Sequence, residues 1–169
     1  VRGGSRLSYV AGGRALRLMR ASTQRSFMLN KALKCGPTEH VAAVQRLLDD
    51  AKAAGRSQRA LIGELAELLG QRMAASGEGV LHRPESDLGL LKGIADACAR
   101  AGGPERLLLT GGEAGGVFLI VAPDPVLQHV SPAILTALHG RGGGRGGRMQ
   151  GKSTDLSGRF AAWEALREA

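Results

Sequence analysis

The chain is poor in aromatic residues, with one tryptophan, one tyrosine and three phenylalanines among its 169 residues. Proteins that hold unpaired bases by stacking them on rings need more, which counts against a stacking platform. Cysteine is scarce as well: Cys35 and Cys98 lie far apart, with no metal-ligand spacing around either. Two isolated thiols build no disulfide framework and fit a reducing compartment, so a cytoplasmic location is expected. No apolar run approaches the ~18 residues of a membrane-spanning helix, and no signal-peptide pattern is present. Negative charge is missing from one region altogether. Arg2, Arg6, Arg14, Arg17, Arg20, Arg25, Lys31 and Lys34 all precede Glu39, the first acidic residue.

What is present is an ordinary globular composition carrying a large positive charge. Apolar residues make up 43% of the chain, enough to bury a core at this length. The formal net charge is +8 and the isoelectric point is near 10.5, which favours a polyanionic partner, nucleic acid first. The acid-free N-terminal region reads either as a solvated basic helix face or as a contact with nucleic acid, and the missing carboxylates favour the contact.

Leu7-Ser8-Tyr9-Val10 alternates as a short strand does, and a helix is expected from Arg14 to about Leu33 with Leu16, Met19 and Phe27 on its apolar side. Cys35-Gly36-Pro37 stops it, and Thr38 is a good N-cap for a second helix. Val41, Val44, Leu48, Ala51, Ile62, Leu65 and Leu69 mark that helix as one long element to about Ala74, weak near Gly55. The two together imply an antiparallel helical hairpin, with the stripe read as packing. After Ser76-Gly77-Glu78-Gly79 the periodicity changes. Strands are expected at Val80-Leu81-His82, Leu107–Thr110 and Val117–Val121. The last is apolar throughout and should lie at the centre of a doubly covered sheet. Helices are expected over Asp87–Ala101, facing Leu88, Leu91, Ile94, Ala95 and Cys98 inward, over Val130–Leu138 with Pro132 in the first turn, and from about Asp155 to Glu168 with Phe160, Ala161, Trp163 and Leu166 buried. The fold class is α/β in the broad sense (α+β): a helical hairpin followed by a small α/β domain with a glycine-rich loop. The domains expected are 1–11, the end of an upstream module; 12–76, a helical linker; and 77–169, the C-terminal domain.

Between the last two expected helices, every residue from Gly140 to Gly147 is Gly or Arg. Such a run can turn successive backbone N–H groups toward one point and form a concave anion site. Arg141, Arg145, Arg148 and Lys152 surround it with charge, and arginine grips phosphate through two parallel hydrogen bonds. The competing reading is a flexible linker. The flanking helices favour an ordered turn, with His139 beside it as an accessory contact. The run is not a P-loop: Gly151-Lys152-Ser153-Thr154 matches by letter, but a helix and not a strand precedes it.

Catalytic chemistry is hard to find. His40, His82, His129 and His139 include no pair at helical metal-ligand spacing, and neither cysteine has an activating neighbour in sequence. Cys98 reads as a small core residue. No metal site is expected.

Gly142-Gly143-Gly144-Arg145-Gly146-Gly147-Arg148-Met149-Gln150-Gly151-Lys152 resembles the glycine-rich signature of the DHH-associated domain that ends alanyl-tRNA synthetases. It is closer still to that of the alanyl-tRNA editing proteins. Residues 5–16 and 33–41 are similar to the end of that family's editing module and to the break between its linker helices, so the resemblance spans about Arg6 to Leu166. It implies a protein that hydrolyses serine or glycine wrongly attached to alanine tRNA through a zinc-bearing domain. That domain's His-x3-His and Cys/His ligand motifs are not found in these residues. The editing module is therefore expected upstream of Val1 or lacking, with the zinc belonging to it; no cofactor is expected in this chain, which is predicted to be non-catalytic by itself. What carries over is a grip on tRNA by Arg141, Gly142, Gly143, Gly144, Arg145, Gly146, Gly147, Arg148, Gln150 and Lys152. Two other readings stay open. One is the substrate-binding domain of a DHH-type phosphoesterase or the C-terminal region of an alanyl-tRNA synthetase. The other is a homodimer formed through the helical region.

Overall fold

The structure, a computed structural model, describes Tyr9 and residues 11–169. Apart from Tyr9, the strand expected at residues 7–10 lies outside them. The described chain forms two compact units, one ending at Ser57 and the other comprising Gln58–Ala169.

In the first unit, helix α1 spans Gly12–Leu33 and ends at Lys34, whose left-handed backbone (φ 54°) turns the chain out of the helix. A 3-10 turn at Pro37–Glu39 leads into helix α2, His40–Ser76. Thr38 lies inside that turn and is not an N-cap. The capping oxygen belongs to Glu39, which accepts the Gly36 N–H at 3.1 Å. Asn30 of α1 and His40 of α2 share a 2.7 Å side-chain hydrogen bond across the junction. The apolar stripes, expected to pack, do so only toward the end of α2, where Leu65 and Leu69 lie against a core. α1 buries no residue, and Leu16, Met19 and Phe27 are 58%, 66% and 68% exposed. Val41, Val44 and Leu48 in the first half of α2 are exposed too. Heptad spacing records an apolar face, and a face is buried only where something covers it. α2 runs through Gly55 without a break, and its 37 residues span about 55 Å.

The second unit is a five-stranded sheet with helices on both faces. The strands are β1 (Val80–His82), β2 (Leu107–Gly111), β3 (Gly116–Val121), β4 (Gly140–Gly144) and β5 (Arg148–Ser153). Their order is β1-β2-β3-β5-β4, with β1 and β2 parallel and every other pair antiparallel. The all-apolar strand β3 is central, as its composition predicts. Phe118 and Ile120 enter a core with α4 (Asp124–Ala137) and α5 (Arg159–Glu168), while Leu119 enters a second core with α3 (Leu88–Arg100) and the end of α2. Asp87 caps α3 by accepting the Leu90 N–H at 2.8 Å. Leu90 and Ala97 join the inward residues expected there, and Cys98 is fully buried, which pushes its thiol pKa up.

Three elements depart from the sequence reading. α4 begins at Asp124 and not Val130, because Pro125 sits in the first turn, where a missing N–H costs nothing. Pro132 is consequently interior. α5 begins at Arg159, four residues late, because Asp155 closes a tight turn on the N–H and hydroxyl of Ser157, both at 2.8 Å. With that shift in phase Ala162 and Leu166 are buried, Trp163 is partly so, and Phe160 and Ala161 face solvent. The third departure is the glycine run. It forms β4, the turn at 145–147 and the start of β5, so the unit reads β-α-β-β-α-β-β-α.

The end of α2 lies against α3 through small residues. A Cβ added at Gly70 would sit 2.5 Å from the Ala97 Cβ and 2.7 Å from the Cys98 nitrogen; one at Gly93 would sit 2.9 Å from the Ala66 Cβ. Neither helix can retreat without opening the core that holds Met73, Leu91 and Ile94. Gly70→Leu is therefore expected to cost about 2–3 kcal/mol by overpacking, despite leucine's better helix propensity. Thermal unfolding followed by circular dichroism tests this; an unchanged or raised midpoint contradicts the close crossing.

Candidate nucleic-acid interface

The pairing of β5 decides where the glycine-run residues point. Val117 pairs with Lys152, Leu119 with Gln150 and Val121 with Arg148, so these three β5 side chains share the α3 face of the sheet. Met149 and Ser153 alternate to the other face and are buried. In β4, Arg141 opposes Lys152 and Gly143 opposes Gln150 on that same α3 face. α3 packs mainly on β2 and β3, which leaves much of this side of β5 and β4 open. Lys92 projects from α3 at its border, and Lys92, Gly143, Arg145, Arg148 and Gln150 surround one depression, with Leu119 in its floor. A second depression lies beside it, lined by Val117, His139, Arg141, Lys152 and Thr154.

The run is ordered, but it is not the amide cradle its composition suggests. An extended edge strand alternates its N–H groups between its partner and solvent, so they do not converge. At the turn Gly146 and Gly147 take φ values of 66° and 76°, which suit glycine and a tight hairpin. The Gly147 N–H is already donated to the Asp124 carboxylate at 2.5 Å, and its carbonyl accepts from the Ala122 N–H at 3.0 Å. That leaves side-chain cations and bare strand backbone as the anion-facing features.

The charges on this face are not equivalent. Arg148 forms an ion pair with Asp96 of α3 at 2.6 Å, both about half exposed, so part of its charge is satisfied within the fold. Lys92, Arg141, Arg145 and Lys152 are in no ion pair among the described residues, while the Asp124 carboxylate near the turn is engaged by the Gly147 N–H. Lys92 and Asp96 were missed in the sequence, since no local pattern sets them beside a hairpin some 50 residues away. The expected site residues do gather at this hairpin. However, Gly142 and Gly144 sit against the β5 backbone, and Gly146 and Gly147 serve the turn. The five cations of α1, and Lys34 at its end, belong to the other unit, where none of them is buried.

Among the described residues, no three His, Cys, Asp or Glu side chains come together as metal ligands would. No helix among the described residues is long and apolar enough to cross a membrane. Several other polar groups bond within the fold. The Ser153 hydroxyl donates to the Leu138 carbonyl and accepts the Asp155 N–H at 3.0 Å, and the two bonds from Ser157 hold the Asp155 carboxyl below its usual range. His82 Nδ1 meets the buried Thr110 hydroxyl at 2.9 Å, and burial, with a smaller contribution from Arg159, lowers its pKa.

These observations define an α+β domain with a cationic, partly uncovered sheet face. No family model matches the chain. The chain is 33% identical over 171 residues to the mouse alanyl-tRNA editing protein Aarsd1, 34% identical to the rat protein and 30% identical to the zebrafish one. These alignments take in 96–97% of the chain but only 40–41% of each relative, so it spans about two fifths of their length. The chain is thus homologous, along nearly its whole length, to part of the alanyl-tRNA editing proteins, the family that its sequence resembles.

His82 gives a prediction about stability. The fold disfavours the protonated imidazole, whereas the unfolded chain takes up a proton near the ordinary pKa of about 6.5. The unfolded state therefore binds more protons as pH falls below that value, and stability declines. His82→Gln keeps a partner for Thr110 and is expected to flatten the decline in melting temperature between about pH 7 and pH 5.5. An unaltered slope contradicts the assignment.

Proposed function

We propose that this chain is the tRNA-binding part of an alanyl-tRNA editing protein and works in the cytoplasm. The open face of β4 and β5 holds the body of alanine tRNA. Hydrolysis of the wrongly attached serine or glycine is left to a zinc-dependent domain outside these residues. The supporting observation is the set of four cations on an exposed sheet face that form no ion pair among the described residues. Arg141, Arg145 and Lys152 can each meet a phosphate, with Arg148 shared between RNA and Asp96. A protein that reads RNA by shape contacts phosphates and 2′-hydroxyls and needs few aromatics, in keeping with this composition. The run from Gly140 to Lys152 acts on this reading as the hairpin of a DHH-associated domain. The acid-free helix α1 adds a second basic surface. The relatives' shared name favours editing over the phosphoesterase and synthetase readings.

Titration of the chain with an alanine tRNA transcript at two salt concentrations tests this. Neutralising about four phosphates gives a log–log salt slope of roughly −3 to −4. Replacing Arg145 and Lys152 together with alanine is expected to weaken binding by about 1–3 kcal/mol without lowering the melting temperature, as exposed charge contacts should. No binding at low salt, or binding indifferent to salt, contradicts the proposal.

A second reading concerns the helical unit. The exposed Leu16, Met19, Phe27, Val41 and Leu48 are favourable material for self-association. α1 carries cations and no carboxylate, so its contact in a homodimer is with α2, which bears Asp49 and Asp50. Light scattering distinguishes the cases: a dimer that Phe27→Glu splits supports this contact, and a monomer at all concentrations rejects it.

A further inference from the structure

Almost every glycine between Gly140 and Gly147 has an internal reason to be glycine. A Cβ at Gly140 would lie 2.9 Å from the Phe118 ring. At Gly142 and Gly144 it would run into the β5 backbone, closest to the carbonyl oxygens of Gln150 and Arg148. Gly146 and Gly147 have positive φ. Gly143 is the exception: a Cβ there would meet nothing within 4 Å, and its φ is not in the left-handed region. Glycine inside a strand is destabilising by roughly 0.5–1 kcal/mol relative to alanine, so nothing inside the fold favours it there.

The surroundings of Gly143 indicate what does. It lies on the open α3 face, between Arg141 of β4 and Arg145 at the start of the turn, and directly across from the exposed Gln150 of β5. Facing cross-strand positions are about 5 Å apart, close enough for one ligand group to meet both. A bare backbone flanked by cations admits a sugar–phosphate chain more closely than any side chain would. The amide of Gln150 both donates and accepts, as a ribose hydroxyl does.

We infer that Gly143 is where an RNA backbone lies directly on the sheet, with Gln150 opposite it hydrogen-bonded to a 2′-hydroxyl, so that the face selects RNA over DNA. Arg141 and Lys152 hold phosphates on one side of this point, and Arg145 and Lys92 on the other. Charge alone cannot make that selection, because DNA presents the same phosphates. The inference rests on the proposed tRNA-binding function and adds the residue pair that identifies the ligand as RNA.

The test uses the full chain, an alanine tRNA transcript and a DNA oligonucleotide of the same sequence. Wild type is expected to bind the RNA several-fold more tightly. Gly143→Ala is expected to weaken RNA binding about tenfold while the melting temperature stays level or rises; Gly142→Ala lowers the melting temperature. Gln150→Ala is expected to bring RNA and DNA affinities together. RNA binding by Gly143→Ala at wild-type strength overturns the inference, as does a loss of affinity that only parallels a loss of stability. Equal affinity of the wild type for RNA and DNA overturns the role of Gln150. If the Arg145/Lys152 double variant loses binding while Gly143→Ala does not, this inference alone fails; if the wild type binds no tRNA, the broader reading fails with it.

Discussion

The antiparallel pairing of β3 with β5 is the constraint on which the rest of the C-terminal unit depends. Its register puts Gly151 beside Phe118, where a Cβ would lie 2.5 Å from the ring, and Met149 beside Ile120 in the buried core. The alternate residues, Arg148, Gln150 and Lys152, must then face the opposite way. A slip of one residue would bury Lys152 and expose Met149, so the apolar contacts of Met149 enforce the outward display of the cations. The same register fixes β4, which pairs only with β5 and forms the sheet edge. Core packing and surface chemistry are thus two sides of one alternation.

Unequal covering of the two sheet faces turns that alternation into a site. α4 and α5 close one face with Leu127, Val130, Ile134, Ala162 and Leu166. α5 is held at its end by Arg106, whose guanidinium donates to the Leu166 and Arg167 carbonyls at 3.3 and 2.7 Å. On the other face α3 packs mainly on β2 and β3. The uncovered half would be a liability if it were apolar. Here it carries glycine, glutamine, lysine and arginine, which suit contact with water or with a polyanion equally.

The sequence foretold much of this fold, because the strands and helices of the second unit carry strong local signals. The apolar run at Val117–Val121 and the break at Gly36-Pro37 both act locally. The glycine run was misread because glycine is disfavoured in strands, and only the partner strand, supplied by tertiary structure, makes β4 extended. The buried face of α5 was misplaced because a side-chain turn at Asp155 delayed the helix and changed its phase. The candidate cations were legible from composition. Lys92 and the Asp96 counterion were not, since their place depends on strand order. The apolar stripes of α1 and the first half of α2 were legible as stripes, and their exposure was not.

Hydrogen–deuterium exchange with and without alanine tRNA addresses the central claim, that the uncovered face of β4 and β5 is the RNA-binding surface, most directly. Slower exchange confined to peptides spanning Gly140–Ser153 and the Lys92 turn of α3 is the predicted result. Protection of α4 and α5 with no change in the hairpin would contradict it.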